Sequence, residues 1–190
     1  MYDAVTIEKI NVNGIAVDAL NETIEAIKTD AEIARFQFRA RNRWVGGTHN
    51  RTTINSLFGA HQEIERAADF TLDKDEPEIL LGTDAGPNPI EYALAALAGC
   101  LTTTLVCFAA AEGVVIDEIE SELEGDTDLR GFLGLDSAVR RGLSEIRVSF
   151  SIKSDAPAEK LQELIELAKS RSGIFDMLNN GVPISVGLKS

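Results

Sequence analysis

Uncharged residues run unbroken from Tyr92 to Ala111, and this stretch holds both cysteines of the chain, Cys100 and Cys107. Ile90, Leu94, Leu97, Leu101, Leu105 and Phe108 recur at helical spacing. A second stripe, of Ala93, Ala96, Cys100, Thr103 or Thr104, and Cys107, is small. One bulky and one small stripe predict a helix that is apolar nearly all round and therefore buried. Its start is written in Asn88-Pro89-Ile90-Glu91: an N-cap, a proline at the first helical position, and a glutamate three residues after the cap, as in a capping box. Gly113 supplies the stop, because glycine ends a helix in a left-handed conformation without strain.

Shorter patterns surround this helix. Residues 16–29 read as an amphipathic helix. From Ala31 to Val45 apolar positions mix with Arg35, Arg39, Arg41 and Arg43, predicting a strand with a basic outer face. Gly46-Gly47 makes a turn, residues 51–57 return as a strand, and a third strand runs over 61–72 to the acidic loop at 73–77. After Gly113, alternation predicts strands over 114–123 and 144–154, separated by a glycine-rich loop at 125–142. Pro157 opens a second helix with the face Leu161, Leu164, Ile165 and Ala168. A helical turn at 172–178 and a closing strand at 182–188 complete the chain. The order predicts an α+β fold, with a central helix against a largely antiparallel sheet.

Twenty uncharged residues could also span a bilayer. The stretch is rich in Ala, Thr and Gly, however, its flanks are Glu91 and Glu112, and no Lys or Arg cluster marks one side. A core helix is expected, not a membrane span. A length of 190 residues suits one domain with a sizeable core. The net charge of −13 argues against nucleic acid and anionic membrane surfaces as partners. Cys100 and Cys107 stand about 10 Å apart along one helix, beyond disulfide reach. With no bridge framework and no secretory signal in the opening residues, a cytoplasmic protein is expected. His49 and His61 belong to no spaced ligand cluster, so neither a metal nor another cofactor is expected. Cys107 reads as a structural thiol, His49 as a solvated turn residue, and Trp44 and Phe58 as core or interface.

The run from Leu80 through Gly82-Thr83-Asp84-Ala85-Gly86-Pro87-Asn88-Pro89-Ile90-Glu91 to Gly99-Cys100-Leu101 resembles the OsmC/Ohr family. Members share an N-P-x-E-like helix start and a small-residue helix leading to a cysteine, here Cys100, eleven residues after Pro89. The likeness extends more weakly over residues 33–188. It implies an OsmC-like α+β fold of largely antiparallel sheets around two long central helices, in an intertwined homodimer with sites at the subunit interface. It also implies an OsmC-like domain over 31–190, with 1–30 as an N-terminal helical extension. In peroxidase members the helix cysteine attacks an organic hydroperoxide, and a second cysteine near the end of the later helix then closes a disulfide. A reductant thiol restores the pair, while an arginine and a glutamate orient and activate the sulfur.

By position Cys100 matches the attacking cysteine. The second cysteine is absent, because Ser170-Arg171-Ser172-Gly173 stands where the family commonly shows Cys-Pro. Ile90 follows the motif proline, so the glutamate is Glu91, about 100° further round the helix. An unperturbed thiol is only a few per cent thiolate at pH 7. Cys100 also lies too deep in its helix for that helix's dipole to act. Its activation therefore predicts a cation from the N-terminal strands, Arg51 first and Arg43 next among Arg39, Arg41, Arg43 and Arg51. The resulting expectation is thiol-dependent hydroperoxide reduction through Cys100, with Arg51, Arg43 and Glu91 in support and an external thiol resolving the oxidised sulfur. The alternatives are a dimer that binds a small apolar or thiol-bearing ligand without turnover, and a structural dimer with an inert thiol.

Overall fold

The computed structural model describes residues 11–189. The first ten residues of the expected 1–30 extension, including the segment read for a secretory signal, lie outside the described residues. The described residues open with a hairpin that the sequence pattern did not reveal, β1 (Asn11–Val12) and β2 (Ile15–Ala16). Its turn residue Asn13 donates through Nδ2 to the Val114 carbonyl and accepts from the Ile116 N–H, both at 2.9 Å. Helix α1 (Val17–Thr29) follows, within a residue of its expected start.

The single strand expected over 31–45 is broken. Asp30 accepts from the Glu32 N–H and winds Ala31–Ala34 into a 3-10 turn, which delays the extended chain. Extended structure begins only at β3 (Gln37–Phe38) and β4 (Arg41–Gly46). Gly47, at φ +54°, makes the expected turn into β5 (His49–Ile54). The later strands are likewise short: β6 (Leu57–Gly59), β7 (Gln62–Ile64) and β8 (Phe70–Lys74). They form two antiparallel three-stranded sheets, in the orders β4-β5-β8 and β3-β6-β7.

The chain divides into two compact units: Asp18–Ala93, and the residues from Leu94 onward with those up to Val17. Among its described residues the Asp18–Ala93 unit has no fully buried apolar side chain. Phe36, Phe38, Trp44, Phe70, Ile79 and Leu81 are all more than half exposed, so Trp44 is not a core residue of the single chain. The buried side chain of this unit is Asp75, 2% exposed. Its carboxylate accepts from the Thr48 hydroxyl (2.5 Å), the Thr83 hydroxyl (2.6 Å) and the N–H groups of Glu76 (2.9 Å), Thr83 (2.9 Å) and Ala85 (3.2 Å). Gly82 lies so close to the Glu76 carbonyl that a Cβ would stand 1.6 Å from its oxygen. This tight loop delivers the chain to the long helix.

Helix α2 (Pro89–Ala111) has the ends its sequence dictates. The Asn88 N–H donates to Glu91 Oε2 at 2.7 Å and the Glu91 N–H to Asn88 Oδ1 at 2.8 Å, closing the capping box. At the other end Gly113 takes φ +73°, and the N–H groups of Gly113 and Val114 donate to the Ala110 and Ala109 carbonyls, a Schellman closure. By length and composition α2 could cross a membrane. Its Leu97, Leu101, Leu105, Ala109 and Ala110 are instead buried in protein.

The remaining elements are β9 (Glu118–Asp126), α3 (Leu129–Phe132), β10 (Glu145–Lys153), α4 (Ala158–Arg171) and α5 (Gly173–Asn180). Strands β9 and β10 pair antiparallel over nine residues, with alternating faces as predicted. Leu105 and Ala109 of α2 pack with Leu164 and Ala168 of α4, flanked by Phe108, Ile119, Ile152, Leu161 and Ile165. The face predicted for the second helix is therefore the one in the core. Within the expected 125–142 loop, Asp128 caps α3, and Gly131 approaches the Arg140 carbonyl so closely that a Cβ would stand 2.3 Å away.

Two further expectations fail. Helix α2 is not buried all round, because Ala95, Ala96, Gly99 and Thr103 are exposed along one face. Residues 182–188 form no strand, and Val182, Ile184, Val186 and Leu188 are 52% to 104% exposed. Alternation marks strand-forming capacity, but a strand also needs a neighbour to pair with.

Candidate functional site

Cys100 sits midway along α2, where the small stripe meets the junction of α4 and α5. Ser172 is that junction. Its N–H donates to the Ala168 carbonyl at 2.8 Å, closing α4, and its carbonyl accepts from the Asp176 N–H at 3.0 Å. Its hydroxyl accepts from the Phe175 N–H at 3.2 Å, capping α5. The same hydroxyl lies 3.1 Å from Cys100 Sγ, and Ser172 is 2% exposed. A serine with ordinary capping chemistry is thereby fixed against the Cys100 thiol.

Burial pushes the Cys100 thiol up. The Ser172 hydroxyl, the backbone N–H groups of Ile174 and Gly173, and the Thr104 side chain outweigh that effect and bring it below the ordinary thiol value. The Thr104 hydroxyl also donates to the Cys100 carbonyl at 2.7 Å, and its single proton serves one acceptor at a time. Cys107, two turns on, is a free, partly buried thiol as Cys100 is.

The arginines predicted for the site lie in the Asp18–Ala93 unit. Arg43, Arg51 and Asp73 stand in register across β4, β5 and β8. Arg51 donates to Asp73 through Nε (2.8 Å) and Nη2 (3.2 Å), and His49 Nε2 meets the same carboxylate at 2.7 Å. Arg51, with His49 beside it, holds the Asp73 carboxyl below the usual range. His49 is therefore a hydrogen-bonding partner of Asp73 and not the solvated turn residue expected from its neighbours. Arg43 lies directly opposite Arg51 and makes no ion pair among the described residues, an arrangement that strands disfavour unless an anion is near. Arg39 is held by Glu63 and Gln37, and with Arg41 it lines an open polar cleft of about 390 Å3. Glu91 is engaged by the Asn88 N–H in the capping box.

Sequence reasoning gave the capping role of Glu91 and did not foresee that Ser172 meets Cys100. The signal for the cap was present: Ser172 precedes Gly173-Ile174-Phe175-Asp176, a serviceable N-cap sequence with an acid in the first turn. What the sequence does not carry is the approach of that cap to Cys100, 72 residues away. Among the described residues no group of His, Cys, Asp and Glu is arranged to hold a metal ion.

Solved structures share the fold. An OsmC-like protein from Mycoplasma pneumoniae superposes with a TM-score of 0.56 at 19% identity, covering 75% of this chain and 87% of its own. An OsmC-like protein of unknown function from Vibrio cholerae gives 0.53 at 15%, covering 74% and 92%. An organic hydroperoxide resistance protein OsmC from Legionella pneumophila gives 0.51 at 13%, covering 76% and 90%. At these identities the likeness establishes the fold. No curated protein matches the chain. The family model described as OsmC-like protein matches residues 82–187, more than half of the sequence and the part that carries Cys100 and Ser172. The chain belongs to the OsmC-like protein family.

Proposed function

We propose that this protein reduces organic hydroperoxides through Cys100, with an external thiol completing the cycle. The observation that carries the reading is the Cys100 sulfur held 3.1 Å from the Ser172 hydroxyl at the start of α5. The thiolate attacks the distal peroxide oxygen and the O–O bond breaks. The departing alkoxide takes a proton and leaves as an alcohol, while the sulfur becomes a sulfenic acid. In this chain a hydroxyl lies where a second thiol would be needed, so the sulfenic acid is resolved from outside. A reductant thiol condenses with it, forming a mixed disulfide and releasing water. A second reductant thiol displaces the Cys100 thiolate. A reducing cytoplasm supplies such thiols.

Arg51 and Arg43 keep the role the family resemblance gives them, as positive charge for the reacting oxygens and sulfur. The unpaired Arg43 beside Arg51 supports it. Glu91 acts by fixing the start of the helix that carries Cys100.

The working form is a homodimer. Three features support this: the exposed Ala95, Ala96, Gly99 and Thr103 face of α2, the unpaired alternating segment 182–188, and an Asp18–Ala93 unit without a buried apolar side chain. Apolar surface of this extent is normally covered by a partner.

Trapping tests the chemical step. With one equivalent of an organic hydroperoxide and a sulfenic-acid-specific carbon nucleophile, the adduct is expected on Cys100, with Cys107 unmodified. Equal labelling of both thiols, or labelling of neither, would contradict the proposal.

A further inference from the structure

We infer that the Ser172 hydroxyl, fixed at the start of α5, activates Cys100 by stabilising its thiolate. The inference rests on the reading of Cys100 as the reacting thiol and names the group that makes it so.

The geometry dictates the direction of the hydrogen bond. A serine hydroxyl has one proton and two lone pairs. The Phe175 N–H occupies a lone pair of Ser172 Oγ at 3.2 Å, which leaves the proton free to point elsewhere. Cys100 Sγ, at 3.1 Å, is the acceptor it meets. A thiolate accepts that bond more strongly than a thiol does, because bonds to an ionised acceptor are the stronger kind. Ser172 is buried and tied at its N–H, its carbonyl and its hydroxyl, so the donor is already in place before the thiol ionises.

The helix behind it adds to the effect. Helix α5 is eight residues long, and its first N–H groups lack intrahelical partners. Cys100 Sγ lies against the residue that caps this terminus, where the positive end of the helix favours an anion. The dipole of α2 itself does nothing for a residue this far along it.

Alkylation by iodoacetamide across pH 5 to 10 tests this in a Cys107→Ser background, where one thiol reports. The unsubstituted Ser172 protein is expected to show a midpoint below the ordinary thiol value of about 8.5. Ser172→Ala should raise that midpoint by about one unit and slow alkylation at pH 7 roughly five- to tenfold. Ser172→Gly guards against a purely structural effect, because glycine caps a helix nearly as well as serine does but carries no hydroxyl. It should show the same shift. Wild-type pH profiles in both variants would overturn the inference, as would a midpoint at the ordinary value with Ser172 intact. Alkylation needs no hydroperoxide. A low midpoint that depends on Ser172, in a protein that consumes no hydroperoxide, would uphold the inference while removing the peroxidase reading.

Discussion

Ser172→Cys is expected to give Cys100 a partner thiol with which it closes a disulfide. The Ser172 hydroxyl oxygen is 3.1 Å from Cys100 Sγ, and a sulfur replacing it would reach further along the same bond. When a hydroperoxide oxidises Cys100, the introduced thiol condenses with the sulfenic acid, an S–S bond forms and water leaves. The product has lost two hydrogens, resists alkylation at both positions and releases two thiols on reduction. Cys107 remains free throughout. The cross-link would close 72 residues of chain, for which the loop-entropy relation gives roughly 4 kcal/mol of stabilisation. A large rise in melting temperature on oxidation, reversed by a dithiol, is the second readout. A persistent sulfenic acid in this variant, with no disulfide, would show that the two side chains do not meet as described.

Asp75→Ala is expected to be the most damaging substitution in the Asp18–Ala93 unit. The carboxylate binds three backbone N–H groups and two threonine hydroxyls, and its removal leaves buried donors without acceptors. The loop it organises leads directly to Asn88 and the capping box, so the start of α2 loosens as well. We expect the melting temperature to fall by roughly 10 °C or more. Asp75→Asn should do little better, because its amide would point a donor at donors.

Acid separates this network from simple packing. These hydrogen bonds hold the folded Asp75 carboxyl far below its usual range, with the Thr48 and Thr83 hydroxyls contributing most. As pH falls through about 4 the unfolded chain takes up the proton and the folded protein does not. The stabilisation is thus complete above that pH and is lost progressively below it. Asp75→Asn should lower stability at neutral pH and flatten the acid limb of a stability profile. An unchanged acid limb in that variant would exclude Asp75 as its source.

The local signals in this sequence were strong where one segment decides its own structure. Asn88, Pro89, Glu91 and Gly113 state both ends of α2, and the structure places hydrogen bonds on Asn88, Glu91 and Gly113. The face of α4 and the alternation of β9 and β10 were legible for the same reason. Residues 31–45 misled because Asp30, just outside the alternating run, captures the chain in a 3-10 turn. Residues 182–188 misled in the opposite sense: the pattern is a strand's, and a single chain offers it no neighbour. Arg43, Arg51 and Cys100 could be nominated from the sequence. The Asp73 ion pair and the meeting of Ser172 with Cys100 could not, because both join positions far apart in sequence.

Steady-state consumption of an organic hydroperoxide in the presence of a dithiol, wild type against Cys100→Ser, bears most directly on whether this chain is a one-thiol peroxidase. A clear wild-type rate that falls to the dithiol background in Cys100→Ser is the predicted result. A wild-type rate no higher than that background, or one that survives the substitution, would contradict it.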